Sequence, residues 1–192
     1  MEIKPIAYIK TNFKEKFGIP RQSGIIEEIY GEIIFEKQFR NPDAIRGLEE
    51  YSHLWLIFDF SQKHRDNWSP TVRPPRLGGN KRVGVFATRS PFRPNNLGLS
   101  CVKLESIKFD EKKGNILVVS GVDLLDNTPI FDIKPYIPYC DSKPDAKGSF
   151  SDEFKDYKIN VLYDENIFEN VEQNDKISII KILEQNPKPA YK

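Results

Sequence analysis

Short stretches in which apolar and polar residues alternate dominate the chain up to residue 134. The alternation is clean over residues 3–10 and less regular over residues 24–35, where isoleucine is abundant. Because the side chains of a strand point alternately to its two faces, this spacing predicts half-buried β-strands. The apolar run at residues 53–60 predicts a buried strand, and further strands are expected at residues 82–88, 97–109, 115–125 and 130–134.

Few helices interrupt these strands. Residues 41–50 predict a short helix, with Asn41 as its N-cap and Pro42 at its first position. Residues 61–81 are rich in proline, glycine and arginine and predict a long, ordered functional loop. The chain lacks the alternating strands and helices, and the Gly-x-Gly-x-x-Gly motif, that indicate a Rossmann-type site. We therefore predict a mainly β fold, a single-sheet antiparallel β-barrel whose closure hides its edges.

The composition changes near residue 141. A polar linker at residues 141–151 precedes a predicted strand at residues 157–163 and two helical segments at residues 165–173 and 175–184. This pattern predicts a β-barrel domain over residues 1–140 and a small α/β C-terminal subdomain over residues 150–192.

Composition excludes several classes of protein. Hydrophobic residues make up 39% of the 192 residues, enough for a sizeable core, and 30% are charged, as in soluble domains. No apolar run approaches the roughly 18–20 residues of a membrane span. Residues 1–10 hold no apolar segment of the cleavable kind, so secretion is not expected. We expect a cytoplasmic protein without membrane association. The two cysteines and two histidines lack the spacing of a metal or redox site, so no metal is expected.

The net charge of +1 says little, but its distribution is uneven. Residues 67–104 contain no Asp or Glu and seven basic residues: Arg73, Arg76, Lys81, Arg82, Arg89, Arg93 and Lys103. A local positive field of this kind attracts phosphates. The alternative is that these side chains scatter over several faces and pair with distant carboxylates.

Four segments are rich in residues that make rigid, polar loops and contribute little to a hydrophobic core. They are PRQSG from Pro20, RPPRLGGNKRVGVFATRSPFRPN from Arg73, TPIFDIKPY from Thr128 and NPKPAY from Asn186. Paired prolines stiffen a loop, Gly78 and Gly79 let the backbone approach a ligand, and arginine grips a phosphate or carboxylate through two hydrogen bonds. Thr128 and its backbone can hold an adenine or ribose edge.

Together these segments resemble the TrmO (TsaA-like) family over nearly the whole chain. The resemblance implies an S-adenosyl-L-methionine-dependent enzyme on a single-sheet β-barrel that acts as a homodimer. It also implies the reaction, methylation of N6 of threonylcarbamoyladenosine at position 37, beside the anticodon of tRNA.

The resemblance also implies site residues. The family's cofactor contacts fall here on Arg21, Gln22, Ser23, Gln62, Arg89, Leu99, Thr128, Pro129, Ile130 and Phe131. Three positions depart from the family pattern. Ser61 replaces the usual histidine, so any role of that imidazole is absent, Asn96 stands where proline is common, and Asn127 stands where glycine is common.

The remaining candidates concern RNA and proton transfer. The basic loops would contact tRNA through Arg73, Arg76, Lys81, Arg82, Phe92 and Arg93, with Phe92 stacking on a base or packing against the protein. Asp132 or Tyr136 would serve near the reacting amine; alternatively, Asp132 orders Lys134 and Tyr136 packs in the barrel. Two rival functions stay open: a β-barrel module that binds a nucleotide or RNA without chemistry, and a methyltransferase acting on a small molecule or protein.

Overall fold

The computed structural model describes residues 2–60 and 68–187. Its strands are β1 (Ala7–Lys10), β2 (Tyr30–Phe35), β3 (His53–Asp59), β4 (Thr71–Val72), β5 (Val83–Gly84), β6 (Leu97–Asp110), β7 (Gly114–Ser120) and β8 (Thr128–Pro135). Its α-helices are α1 (Pro138–Asp141) and α2 (Gln173–Glu184). The prediction of a mainly β protein is confirmed. Among the described residues, no helix has the length and apolar character needed to cross a membrane.

Six strands form one antiparallel sheet in the order β1-β2-β7-β6-β3-β8. The last strand, β8, pairs with β3 and also returns to β1, with Ala7 opposite Ile130, so the hydrogen-bonded order closes on itself. The remaining two strands, β4 and β5, pair only with each other in the connection between β3 and β6. This topology brings the β3–β6 pair and the start of β8 together at one end of the sheet.

The core fills the inside of the closed sheet. The strand predicted at residues 53–60 is present as β3, but only its alternate residues are fully buried, and among these Leu54 and Leu56 have no exposed surface. They pack in one cluster with inward residues of the other strands, such as Ile9, Ile33 and Leu117. Burying such side chains contributes roughly 1.5–3 kcal/mol each relative to leaving them in water.

The helix predicted over residues 41–50 consists of two separate 3₁₀ turns, Pro42–Ile45 and Leu48–Glu50. Its start is as predicted, because the Asn41 side chain accepts a hydrogen bond from the Asp43 backbone N–H at 3.0 Å. Between the two turns Gly47 takes a left-handed conformation with φ 82°. That reversal ends the first turn before a full α-helix can form.

The strand predicted over residues 82–88 is only two residues long, Val83–Gly84, and a 3₁₀ turn at Val85–Ala87 follows it. Thr88 stabilises the turn through its hydroxyl, which donates to the Val85 carbonyl at 2.8 Å. Val85 is buried while Phe86 is 70% exposed. The chain therefore leaves the small β4–β5 ribbon early and runs as a loop toward β6.

The C-terminal region differs from the predicted α/β unit. Residues 157–163 are not a strand, and the described residues after 141 hold only 3₁₀ turns and α2. The backbone N–H of Ile159 donates instead to the Glu184 carbonyl at the end of α2, at 2.9 Å. The predicted helix at 165–173 is a single 3₁₀ turn, Glu165–Phe168, whereas α2 agrees with the helix predicted at 175–184.

The helix α2 rests on the outside of the sheet domain. Ile182 packs against the edge of the core cluster, and Lys181 forms an ion pair with Glu28. The Ser178 hydroxyl lies within hydrogen-bonding distance of the Glu28 carbonyl, at 3.2 Å. The C-terminal region is thereby fixed beside the segment that joins β1 to β2.

Candidate functional site

A cavity of about 520 Å³ opens at the end of the sheet where β3 ends and β6 begins. It collects loops that are far apart in the sequence: the β1–β2 connection, the loop before β6, the β7–β8 connection and the start of β8. Its walls are Lys16, Ile19, Pro20, Arg21, Gln22, Phe58, Asp59, Phe60, Thr88, Arg89, Pro91, Arg93, Leu97, Gly98, Leu99, Ser100, Asp123, Leu124, Leu125 and Thr128. Its volume lies within the range of small-molecule sites.

Two aromatic rings form the apolar part of the wall. Phe58 and Phe60 meet edge to face, with ring centroids 5.1 Å apart. Phe58 lies against Gly98 on β6, where an added Cβ would come within 2.2 Å of its ring. Only glycine fits at position 98 without displacing the Phe58 ring, so the strand pair β3–β6 is built to keep this wall in place.

The polar rim of the cavity is a hydrogen-bonded chain of three residues. Arg89 donates to the Gln22 side-chain oxygen at 2.5 Å, and Gln22 in turn donates to the Arg21 carbonyl at 2.5 Å. Arg21 donates to the Asn186 carbonyl at 3.2 Å. Burial lowers the pKa of Arg21, and the nearby Arg76 guanidinium lowers it further. Like-charged guanidinium groups held this close favour an anion between them.

A carboxylate, Asp123, lies in the same wall. Its Oδ1 accepts a hydrogen bond from the Ser100 hydroxyl at 2.6 Å, and the backbone N–H groups of Ser23 and of Asp123 itself also donate to the carboxylate. Burial raises its pKa to about 6, although these hydrogen bonds and the Arg89 charge act in the opposite direction. Sequence reasoning missed Asp123. The available signal was a single acidic residue inside the apolar run GVDLL.

A second, larger cleft of about 1520 Å³ adjoins the first. Arg21, Gln22, Thr88, Arg89 and Pro91 line both. The described residues that line this cleft include no Asp or Glu, and its basic side chains are Arg21, Arg73, Arg76, Arg82, Arg89 and Lys155. Aromatic side chains lie among them: Phe86, Phe92, Phe150 and Phe154. Basic groups interleaved with aromatic rings are typical of surfaces that bind single-stranded nucleic acid.

The predicted RNA-contacting residues separate into two groups. Arg73, Arg82 and Phe92 line the cleft, and the Arg82 guanidinium also donates to the Thr71 hydroxyl at 3.0 Å. Lys81 is exposed but does not line the cleft.

Arg76 and Arg93 have structural partners. Arg93 donates to the Thr88 carbonyl at 2.7 Å and lines the smaller cavity rather than the cleft. Arg76 lines the cleft but lies over the Tyr157 ring, 4.5 Å from its centroid, and over the Phe154 ring at 5.5 Å. These two arginines therefore hold the loop and the C-terminal region in place.

The structure brings together five of the predicted cofactor residues: Arg21, Gln22, Arg89, Leu99 and Thr128 all line the smaller cavity. Ser23 lies just behind the wall, where its hydroxyl accepts a hydrogen bond from the Cys101 backbone N–H at 3.1 Å. Gln62 lies outside the described residues.

The last predicted cofactor segment reaches the cavity only through its first residue. Ile130 has no exposed surface and belongs to the core, so its side chain does not reach a ligand. Pro129 and Phe131, its neighbours on β8, are partly buried and do not line the cavity. Alternation along the strand explains this, since Thr128 and Ile130 point inward and the other two point outward.

Neither residue predicted to act near the reacting amine lines either cavity. Asp132 is 3.0 Å from the Lys134 ammonium, with 44% of its side chain exposed. Tyr136 packs against Trp55 and His53, with ring centroids 5.7 and 6.2 Å away. Within one chain Asp132 pairs with Lys134 and Tyr136 packs against neighbouring rings, and their action near the reacting amine stays a prediction. The described residues also contain no cluster of three or more His, Cys, Asp or Glu side chains suited to a metal ion.

Fold and site together define a class: a closed antiparallel sheet with a mixed-charge small-molecule cavity that opens into a basic, aromatic cleft. Residues 8–142 match the family model for the tRNA-methyltransferase O N-terminal domain. The chain belongs to the TrmO family.

Relatives extend this match over the rest of the chain. The chain is 41% identical, over 197 aligned residues, to the tRNA (adenine(37)-N6)-methyltransferase of Escherichia coli. The alignment covers 100% of this chain and 83% of that protein. It is 38% identical to a probable S-adenosyl-L-methionine-binding protein of Pyrococcus abyssi, over 75% of this chain and 72% of that one. The crystal structure of TrmO from Pseudomonas aeruginosa superposes with a TM-score of 0.77, at 35% identity, over 98% of this chain and 82% of that one.

Proposed function

We propose that this protein is an S-adenosylmethionine-dependent methyltransferase that modifies N6 of adenosine 37 in tRNA. The observation that carries the proposal is the shared wall of the two cavities, where Arg21, Gln22, Thr88 and Arg89 face both. A methyl donor in the smaller cavity and a nucleotide in the larger cleft would meet at that wall. The E. coli relative bears the name of this activity.

The smaller cavity suits the cofactor in its chemistry. S-adenosylmethionine carries a flat base, ribose hydroxyls, a carboxylate and two positive charges. The rings of Phe58 and Phe60 offer apolar surface for the base, and Arg21 and Arg89 offer guanidinium groups for the carboxylate. The two carboxylates of the lining, Asp59 and Asp123, together balance positive charge. When bound, the cofactor supplies an electrophilic methyl group on sulfur. The protein holds that group in line with a nucleophile and excludes water, which accounts for much of the rate.

The larger cleft suits an unpaired RNA loop. Its guanidinium groups would neutralise phosphates, and Phe92 or the exposed Phe86, which stacks on Trp68 with centroids 6.0 Å apart, would stack on bases. Adenosine 37 lies in the anticodon loop, so its base is accessible without opening a helix. We propose, from the family resemblance, that the nucleotide is already threonylcarbamoylated at N6.

Several finer features complete the proposal. The strand order that closes on itself supports a single-sheet barrel as the cofactor-binding domain. Leu97 and Leu99, 39% and 54% exposed beside the smaller cavity, support a homodimer in which a partner covers this face. We propose a cytoplasmic location, where tRNA is modified, and a C-terminal region that borders the RNA cleft through Phe150 and Phe154.

One experiment separates this proposal from its rivals. The protein is incubated with S-adenosylmethionine labelled on its methyl group and either threonylcarbamoylated tRNA, unmodified tRNA or no RNA, and the RNA is digested and examined by mass spectrometry. Label on the modified adenosine supports the proposal. A module that only binds RNA transfers no label, and a small-molecule methyltransferase shows turnover with cell metabolites that does not depend on RNA.

The basic cleft predicts the salt dependence of RNA binding. Replacing Arg73 with alanine should reduce the slope of log affinity against log salt by about 0.7–1. The reason is that RNA binding with one phosphate contact fewer releases fewer counterions. Fluorescence anisotropy with a labelled anticodon stem-loop between 50 and 300 mM salt measures it, with about 150 mM as the reference condition. Lys108→Ala, on an exposed position of β6 that lines neither cavity, is the matched control. Equal slopes for wild type and Arg73→Ala would remove Arg73 from the RNA interface.

A further inference from the structure

We propose that Asp123 accepts the proton that leaves the nitrogen nucleophile during methyl transfer, an inference that rests on the proposed function. The site needs such a group, because the N6 nitrogen of a carbamoylated adenosine is amide-like and its lone pair is delocalised. A neutral product forms only if the N–H proton is removed as the methyl group arrives.

The bonds balance as follows. The nitrogen lone pair forms the new bond to the methyl carbon, and the bond from that carbon to the sulfonium sulfur breaks, with its electron pair returning to sulfur. The N–H bond breaks, its electron pair stays on nitrogen, and the proton passes to a carboxylate oxygen of Asp123. The positive charge of the donor is thus replaced by a proton on the protein, and no further reactant is needed.

Two carboxylates, Asp59 and Asp123, line the cavity, and the hydrogen bonds of Asp123 suit it to this role. Its carboxylate accepts hydrogen bonds from the Ser100 hydroxyl at 2.6 Å and from the backbone N–H groups of Ser23 and of Asp123 itself. A carboxylate has about four acceptor positions, so these three hydrogen bonds fix its orientation and leave one position for a donor in the cavity. Asp132 and Tyr136 do not line the cavity, and Asp126, the acidic residue three positions later, is committed to Lys14 at 2.6 Å and to the Thr11 backbone N–H.

The electrostatic setting suits a base that works near neutral pH. Burial raises the pKa of Asp123 to about 6, so the carboxylate is ionised at pH 7–8 yet more basic than a carboxylate in water. The charged groups around it in the cavity wall are Lys16, Arg21, Asp59, Arg89 and Arg93. Arg89 lowers the pKa of Asp123 and keeps it from rising further.

The test compares three variants of the full-length protein with wild type, using S-adenosylmethionine and threonylcarbamoylated tRNA. Asp123→Asn should lower kcat by about 100-fold or more, within the range of general-base catalysis, while cofactor affinity measured by calorimetry changes less than about 3-fold. Asp43→Asn, an exposed carboxylate far from the cavity that pairs with Arg46, is the matched control and should keep wild-type kcat.

Ser100→Ala is the second variant, because it leaves Asp123 in place and removes one hydrogen bond that lowers the pKa of the carboxyl group. The wild-type rate should rise with pH through about 6 and then level off. In Ser100→Ala the midpoint of this pH profile should move to higher pH. A ¹³C NMR titration of the aspartate carboxyl groups gives a readout independent of activity: one signal should titrate near pH 6, disappear in Asp123→Asn and move upward in Ser100→Ala.

The outcomes are distinguishable. If wild type transfers no methyl group to any tRNA, the proposed function fails. If wild type is active and Asp123→Asn keeps at least a third of its kcat, the proton role of Asp123 is overturned. An Asp123→Asn variant whose cofactor affinity falls as much as its kcat would also overturn it and make Asp123 a charge partner of the cofactor. An unchanged pH profile in Ser100→Ala contradicts the proposal even if Asp123→Asn fails to fold.

Discussion

Replacing Arg89 with alanine is expected to weaken S-adenosylmethionine binding by about 10- to 100-fold. Arg89 lines the smaller cavity and donates to the Gln22 side chain at 2.5 Å, so alanine removes a guanidinium group and also frees Gln22. Hydrogen bonds to charged groups contribute roughly 1.5–3 kcal/mol, and each 1.4 kcal/mol is a factor of about ten in affinity. Isothermal titration calorimetry with S-adenosylmethionine and no RNA measures this effect directly.

Arg89→Lys separates charge from shape. Lysine keeps the positive charge but lacks the planar fork that binds a carboxylate through two hydrogen bonds, so its affinity should lie between wild type and alanine. Arg46→Ala is the control, because Arg46 pairs with Asp43 in the 3₁₀ segment and lines neither cavity. Wild-type affinity in Arg89→Ala would place the cofactor elsewhere and would also weaken the case for the shared wall.

The mixed charge of the smaller cavity explains why arginines and a carboxylate occur together there. A cavity lined only by Lys16, Arg21, Arg89 and Arg93 would repel a ligand with a positively charged sulfur. The carboxylates of Asp59 and Asp123 in the same wall offset part of that repulsion, while the larger cleft, which has no acidic residue among its described lining, keeps its full positive field for phosphates. Under the proposed function, one set of loops would therefore bind two different ligands, the cofactor in the smaller cavity and RNA in the larger cleft.

Sequence patterns predicted the sheet well because alternation is a direct consequence of strand geometry. They failed in the C-terminal region for a physical reason. Residues 157–163 look like a strand, but the sheet closes on itself and offers no free edge for another strand to join. The segment pairs instead with the end of α2 through Ile159. The alternation of residues within one segment does not show whether a sheet has a free edge with which that segment can pair.

The candidate site was likewise predicted only in part. The sequence motifs correctly grouped Arg21, Gln22, Arg89 and Thr128, which line one cavity. Such motifs can be recognised because their residues have no role in a hydrophobic core. The partners of Arg76 and Arg93 were hidden, because the Tyr157 ring lies far from Arg76 in the sequence and a backbone carbonyl such as that of Thr88 gives no sequence signal. Asp123 was hidden for another reason. The pattern predicts a strand over residues 115–125, but β7 ends at Ser120 and the chain turns at Gly121, with φ 71°, so Asp123 lies in a loop at the cavity wall and not in a strand.

Asp123→Asn should also increase stability, raising the free energy of unfolding at pH 8 by about 1–3 kcal/mol. Burial raises the pKa of Asp123 from 3.8 to about 6, so ionising it is less favourable in the folded protein than in the unfolded chain. Each unit of difference corresponds to about 1.4 kcal/mol. Asparagine keeps a carbonyl oxygen for Ser100 and carries no charge.

The pH dependence of this gain has a definite sign. Because the folded-state pKa lies above the unfolded value, the contribution of Asp123 to stability is fully present below pH 3.8 and is lost as pH rises through about 6. The advantage of Asp123→Asn should therefore be absent near pH 4, grow between pH 4 and 6, and stay constant above pH 7. The carboxyl groups of Glu28, Glu105 and Asp126 have lowered pKa values and act in the opposite direction, equally in both proteins.

Urea unfolding followed by circular dichroism at pH 4, 6 and 8 measures the difference, with Asp43→Asn as the control for charge removal at the surface. A variant that is inactive and more stable would show that the protein keeps a destabilising carboxylate for its chemistry. An Asp123→Asn variant that is less stable than wild type at pH 8 would mean that the carboxylate holds the Ser23 and Ser100 segments together, and a structural role would then account for any lost activity.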